Sequence, residues 1–220
     1  MSFQDPYFHY QRWLPFRHWF GPKQWTSLPQ ALKYAGRVRK LALALTDDLA
    51  PHAADFARLT RLRYLDLQGW SGPPLTGQPS FALPDTMGNL TELRELLMLN
   101  LALSEVPPWL PNLTQLCYLM IRGTDITELP TDFGRLQRLE LLRIENCVFP
   151  LRTLPSSFRE LTTLRRLSFA DTYVRHLPID HLPPGLTHLQ LSWSSQLAGV
   201  DFDALHQRFP RLQLQINGVK

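Results

Sequence analysis

Three histidines, His176, His181 and His188, lie close enough in the chain to suggest metal chemistry. A metal site needs donors that converge on one point. These three fall on different parts of a repeating pattern, so the expectation is unconnected surface or core imidazoles. The two cysteines, Cys117 and Cys147, raise nucleophilic chemistry. A reactive thiol wants an exposed, electropositive niche with a base beside it. Neither has such neighbours in sequence, and both are predicted to pack as small apolar groups. The chain contains no glycine-rich phosphate loop and no G-x-S-x-G elbow. Asn89-Leu90-Thr91 and Asn112-Leu113-Thr114 match the glycosylation pattern, but the repeat itself writes N-L-T there. The residues therefore predict no enzyme, no metal and no cofactor, and leave recognition as the chemistry to look for.

The elements that would position recognising residues come from an internal repeat. The pattern L-x-x-L-x-L begins at positions 38, 62, 93, 116, 139, 164, 186 and 209, in steps of 24, 31, 23, 23, 25, 22 and 23. Leu28-Pro29, Leu83-Pro84, Val106-Pro107, Leu129-Pro130 and Leu154-Pro155 each start ten residues upstream of such a pattern. Further apolar residues stand six before it (Leu32, Phe56, Met87, Leu110, Phe133, Phe158) and three before it (Leu59, Leu90, Leu113, Leu136, Leu161). The end of L-x-x-L-x-L alternates with period two, so it reads as a strand with its leucines on one face. The L-P-x-x-Φ-x-x-L segment is spaced three to four, which suits a short 3₁₀ or α turn with proline in its first turn. One unit cannot bury its leucines alone; stacked units can, with a parallel sheet on one side and short helices on the other. The step of 31 places about eight extra residues in a Gly/Pro-rich loop between Gly69 and Leu83, of the kind that projects from one face of a solenoid.

Strand residues opposite the leucines form three columns. The first holds Lys40, Tyr64, Glu95, Tyr118, Leu141, Arg166, His188 and Arg211. The middle one holds Ala42, Asp66, Leu97, Met120, Arg143, Ser168, Gln190 and Gln213. The third holds Ala44, Gln68, Leu99, Arg122, Glu145, Ala170, Ser192 and Gln215. Tyr64, Leu97, Leu99, Tyr118, Met120 and Leu141 cluster on four adjacent strands. Arg122, Arg143 and Arg166 border them on one side, Asp66 and Glu95 on the other. An apolar centre with a charged rim is how a binding hot spot is built, and such a patch exposed to water needs an occupant. The expected occupant is a protein partner; the alternative is cover by the N-terminal segment or another copy of the chain. Eight strands give a wall of about 450 Å², below the roughly 800 Å² per partner of a standard interface. A stable partner must therefore also touch the rims or the 69–82 loop, where Trp70 and Trp193 are candidates.

Residues 1–27 are predicted to cap the solenoid and 28–217 to form the repeat domain. The first 25 residues hold nine aromatics (Phe3, Tyr7, Phe8, Tyr10, Trp13, Phe16, Trp19, Phe20 and Trp25), cut by Pro6, Pro15 and Pro22. A stacking platform for single-stranded nucleic acid or a membrane-surface segment, aided by Arg12, Arg17 and Lys23, is the alternative reading. The chain of 220 residues is 44% hydrophobic and 19% charged, the balance of a globular protein and not a disordered one. Its net charge of +4 is too small for a nucleic-acid signature. No run approaches the roughly 20 apolar residues of a membrane helix, and no secretory signal is visible at Met1–Pro6. Two cysteines without terminal clusters favour a reducing compartment.

These motifs resemble the leucine-rich-repeat superfamily over Leu28 to Asn217. The L-P-x-x-Φ-x-x-L-x-x-L-x-x-L-x-L form is similar to intracellular repeats of plant resistance receptors, Ras-pathway scaffolds and bacterial effectors. Glu145-Asn146-Cys147, followed by Leu154-Pro155, looks like the cysteine-containing variant of plant receptors and of effectors from plant-pathogenic bacteria. Tyr7 to Trp13 resembles the helical cap of an effector ubiquitin ligase class. The family's usual asparagine appears only as Asn217; Trp70, Leu101, Thr124, Cys147, Thr172 and Ser194 replace it. The resemblance implies an α/β fold, a right-handed horseshoe solenoid of about eight repeats with its parallel sheet on the concave face. It implies a protein-interaction module that is a monomer or weak dimer and binds neither nucleic acid nor membrane. Such a module would be a bacterial type III secreted effector or its targeting domain, acting in the cytoplasm or in a host cell's cytoplasm. The rivals are the substrate-binding part of a ubiquitin ligase and a scaffold or immune-receptor fragment.

Overall fold

A computed structural model describes residues 23–45, 49–69, 83–147, 151–172, 174–192 and 200–217. Its strands are β1 (Gln24–Trp25), β2 (Lys40–Ala44), β3 (Tyr64–Gln68), β4 (Glu95–Leu99), β5 (Tyr118–Arg122), β6 (Leu141–Glu145), β7 (Arg166–Phe169), β8 (His188–Ser192) and β9 (Gln213–Asn217). They form one nine-stranded sheet in chain order, every pair parallel. The return segments carry α1 (Leu28–Leu32), α2 (Ala53–Ala57) and α3 (Phe202–Arg208). Between them lie 3₁₀ turns at Asp85–Asn89, Leu110–Asn112, Phe133–Arg135, Ser156–Glu160 and Ile179–His181. This is the predicted horseshoe, its sheet open at both ends.

The L-P-x-x-Φ-x-x-L motif folds as it does because of hydrogen bonds three residues apart. The carbonyls of Pro84, Pro107, Pro130 and Pro155 accept from the N–H groups of Met87, Leu110, Phe133 and Phe158 at 2.9–3.1 Å. Each of those residues then accepts from a leucine three further on, as Met87 O does from Leu90 N at 3.1 Å. Proline sits where its missing N–H is not needed. The leucine seam is closed: Leu65, Leu96, Leu119, Leu142, Phe56, Phe133 and Phe158 are fully buried, and the core runs without interruption from Leu28 to Phe209. Phe133 and Phe158 stack at 5.9 Å between adjacent units.

The residue just past each strand carries a signal that the sequence reading missed. Asn100, Gly123 and Asn146 follow β4, β5 and β6 with φ of 52°, 64° and 50°. Left-handed backbone there favours Gly and Asn. The N–H groups of these three residues reach the carbonyls of Arg122, Glu145 and Ala170 in the next unit at 2.7–3.0 Å. The ladder is thereby extended one residue beyond every strand.

Two further departures concern the ends. Gln24–Trp25, read as cap, adds a short edge strand paired with Lys40 and Leu41, and Trp25 stacks on Tyr34 at 5.3 Å. At the other end the predicted register is corrected by two residues. Gln213, not Arg211, stands opposite His188, and Leu214 opposite Leu189. The last return is an α-helix of seven residues, with Asp201 accepting from Ala204 N at 2.9 Å. An α-helix rises about 1.5 Å per residue against about 2.0 Å for a 3₁₀ turn, so it uses more chain for the same span. A slip of two keeps each side chain on its face. Residues 1–22, Trp70, Trp193, Ser194 and nearly all of the 69–82 loop lie outside the described residues.

Packing between returns is tight at Gly134. A Cβ there would overlap the carbonyl oxygen of Ser157 in the next unit. Gly134→Ala should therefore lower stability by about 2 kcal/mol, the cost of forcing packed backbones apart. Urea unfolding of the two proteins checks this; equal midpoints would mean that the returns are not stacked this closely.

Candidate functional site

The observed register assembles the first column as predicted through seven strands: Lys40, Tyr64, Glu95, Tyr118, Leu141, Arg166, His188. The apolar residues of the concave face form their own cluster, separate from the leucine seam: Leu97, Leu99, Tyr118 and Met120, flanked by Tyr64 and Leu141. The expectation that this cluster is an open wall is corrected. Leu97 is 2% exposed, Leu99 1%, Tyr118 4% and Met120 5%.

Part of the closure comes from the strands themselves. Tyr118 folds along its own strand, its hydroxyl donating to Met120 Sδ at 3.4 Å. Tyr64 does the same towards Asp66, 3.4 Å from Oδ2. Neighbouring strands lie only about 4.8 Å apart, so bulky side chains in adjacent columns leave no gap. The cluster is thus a packed floor, and the accessible side chains are those around it: Tyr64, Glu95, Arg122, Leu141, Arg143 and Arg166.

The charges divide the face. On β3 and β4, burial pushes the carboxyl of Asp66 up, although Gln68 Nε2 donates to its Oδ2 at 2.9 Å. Burial pushes Glu95 up to about 7, against the pull of Lys40. Burial, then Asp66 and Glu95, push the Tyr64 phenol up as well. On β6, Arg143 makes a bidentate pair with Glu145 at 2.7 and 3.0 Å. Burial opposes the Arg143 charge, but Glu145 outweighs it and the guanidinium is pushed up. Ser168 donates to Glu145 at 2.8 Å, so this buried carboxylate is fully held.

Glu95 makes the face pH-sensitive. Its folded value exceeds its unfolded one, so its contribution to stability is complete below about 4.5 and is lost as the pH rises through about 7. Glu95→Gln should therefore raise stability by about 1–2 kcal/mol at pH 8, allowing for partial exposure, and leave it unchanged at pH 4.5. Thermal unfolding of both proteins across that range is the measurement; a gain independent of pH would contradict the assignment.

Beyond the floor lies the most open part of the face, a recess of about 350 Å³ over β6–β9. Leu141, Arg143, Arg166, Ser168, His188, Gln190, Gln213 and Gln215 line its surface. Arg211, placed here by the uncorrected register, does not line it.

The other residues with chemical potential do not converge. His181 bonds the Leu154 carbonyl at 2.7 Å on the 3₁₀ side, whereas His188 lies on β8 beside Thr187 Oγ1 at 2.8 Å. Among the described residues no three metal-ligating side chains come together. Cys147 is buried in the seam, its N–H donating to Thr172 Oγ1 at 3.1 Å and its Sγ lying 3.5 Å from Thr124 Oγ1. These residues, at the position of the family's asparagine, thus bond from unit to unit. Cys117 is half-buried, and burial, then Glu140, push its thiol up, which disfavours a thiolate.

Comparison with known proteins follows the geometry. The family described as leucine-rich repeat region matches residues 109–191. None of the curated proteins compared matches the sequence. Among solved structures, a leucine-rich-repeat protein of Leptospira interrogans superposes with a TM-score of 0.68 at 22% identity, over 90% of this chain and 47% of that one. An internalin of Listeria monocytogenes superposes at 0.58 and 19%, over 88% and 58%. The plant peptide hormone receptor RGFR1, in complex with RGF2, superposes at 0.55 and 16%, over 87% and 30%. The chain therefore spans about half the length of the first of these, 47%. At such identities the likeness is one of fold. The matched repeat region and these neighbours support a leucine-rich-repeat protein, and its fold is the horseshoe solenoid of that class.

Proposed function

We propose that this chain is a protein-recognition module that takes its partner on the concave face. The supporting observation is the division of that face: a closed apolar floor over β3–β6 beside an open, polar recess over β6–β9. Contact would centre on the half-buried residues Leu141, Arg143, Arg166, His188 and Gln190, with Tyr64, Glu95 and Arg122 around the floor. The closed floor moves the proposed contact away from Leu97 and Tyr118 themselves. Rim contacts are also needed, because the wall alone is smaller than a standard interface.

The test is affinity capture by the immobilised chain. The concave variant Leu141→Ala/Arg166→Ala is set beside a control on the 3₁₀ side, Arg135→Ala/Arg159→Ala, both of whose sites are exposed. Loss with the first alone supports the proposal; loss with the control alone rejects it.

Within this reading we favour a bacterial type III secreted effector, or its targeting domain, acting in host cytoplasm. The support is the repeat form and the bacterial source of two of the structural neighbours. The ligase alternative makes the same domain the substrate-binding part of a longer enzyme. Ubiquitin transfer by a longer product, absent from residues 1–220, would favour it over the effector without catalysis.

A further inference from the structure

We infer that the recess over β6–β9 receives an acidic side chain from an extended segment of the partner, two residues beyond an apolar side chain seated on Leu141. This rests on the concave-face reading and names the chemistry that the face selects.

The floor of the recess is formed by leucines of the seam, and its walls carry two guanidiniums, an imidazole, a serine and three glutamines. No carboxylate lines it among the described residues. The nearest, Glu145, is held by both Arg143 nitrogens and by Ser168. The field inside is positive. His188 is pushed down by burial and by Arg166, which shows that a second cation is disfavoured there. An anion gains from the same field, and hydrogen bonds to a carboxylate from charged donors are the stronger kind. The opposite end of the face, with Asp66 and Glu95, would repel it. The face is thus polarised along its length, which fixes the direction of a bound segment as well as its charge.

Spacing sets the motif. Leu141, Arg166 and His188 are consecutive members of one column, on β6, β7 and β8. From Leu141 to the midpoint between Arg166 and His188 is one and a half strand spacings, about 7 Å. In an extended peptide, side chains two apart point the same way and are about 6.6–6.8 Å apart. A segment lying along the column therefore places an apolar residue on Leu141 and the residue two further on between Arg166 and His188. The expected motif is an aliphatic or aromatic residue, any residue, then Asp or Glu.

Selection from a random peptide library displayed on phage, against the full chain, tests this. Enriched peptides are expected to carry Asp or Glu two positions after an apolar residue. A synthetic fluorescent copy of the leading clone should lose at least about tenfold in affinity when that acid is made its amide. On an Arg166→Glu chain the selected residue should change to Lys or Arg, a reversal that a merely structural role for Arg166 would not give. Enrichment without an acidic preference, or a preference that survives Arg166→Glu, overturns the inference. If such peptides still depend on Leu141, the concave-face proposal stands without it. If no enriched peptide depends on any concave residue, or none is enriched, both fall. A tighter peptide affinity on replacing Phe8 and Trp13 by serine would assign the recess to the chain's own N-terminal segment and also overturn the inference.

Discussion

Phe133→Ala is expected to cost about 3–5 kcal/mol, the range for emptying a fully buried aromatic site, and to lower the melting temperature by about 10 °C for a chain of this size. Phe133 has no exposed surface and stacks on Phe158 of the next unit at 5.9 Å, with 20° between the rings. It also accepts from Leu136 N and donates to the Pro130 carbonyl, so its turn is built around it. The cavity would open between two units, and a solenoid transmits such a defect only to neighbours. Hydrogen exchange should therefore quicken first in β5–β7 and least in β2 and β9. A double-mutant cycle with Phe158→Ala should show coupling of about 0.5–1.5 kcal/mol for the aromatic pair. Independent losses would mean that the two rings do not share a site.

The second large effect concerns recognition. Leu141→Ala with Arg166→Ala should weaken partner capture by at least about 100-fold, since two central interface side chains of this kind often carry 2 kcal/mol or more between them. Both residues are half-buried and outside the seam, so circular dichroism and the melting temperature should change little. Leu97→Ala with Tyr118→Ala makes the contrasting case. Those side chains are 2% and 4% exposed; their removal opens the floor and should cost stability of about 2–5 kcal/mol before any effect on binding is read. Tight capture by the Leu141/Arg166 variant would move the contact surface off the recess.

The fold was readable because the leucines recur at fixed offsets and one buried seam demands them. Leu65, Leu96, Leu119 and Leu142 could hardly be arranged otherwise once Leu-Pro and Phe or Met stood upstream at constant distance. Where the return changed type, the offset misled. The α-helix Phe202–Arg208 moved the last strand two residues along and took Arg211 out of the first column. Asn100, Gly123 and Asn146 were a readable sign of left-handed backbone that leucine spacing alone does not show.

The site was readable as a set of neighbours and not as a surface. Alternation correctly put Tyr64, Leu97 and Met120 opposite the seam. Whether a side chain on that face meets water depends on how Tyr118 lies over Met120 and how closely the strands approach, which no periodicity contains. The recess was missed for the same reason. Its residues come from four strands, β6 to β9, and one of its walls depends on the register that the sequence misplaced.

The central claim is that a partner meets the sheet side of the horseshoe and not its 3₁₀ side. A photo-crosslinking amino acid placed at Gln190, lining the recess, and separately at Arg159, exposed on the 3₁₀ turn Ser156–Glu160, tests it directly. The predicted result is one discrete covalent product from position 190 and none from position 159. A discrete product from position 159 alone would contradict the account.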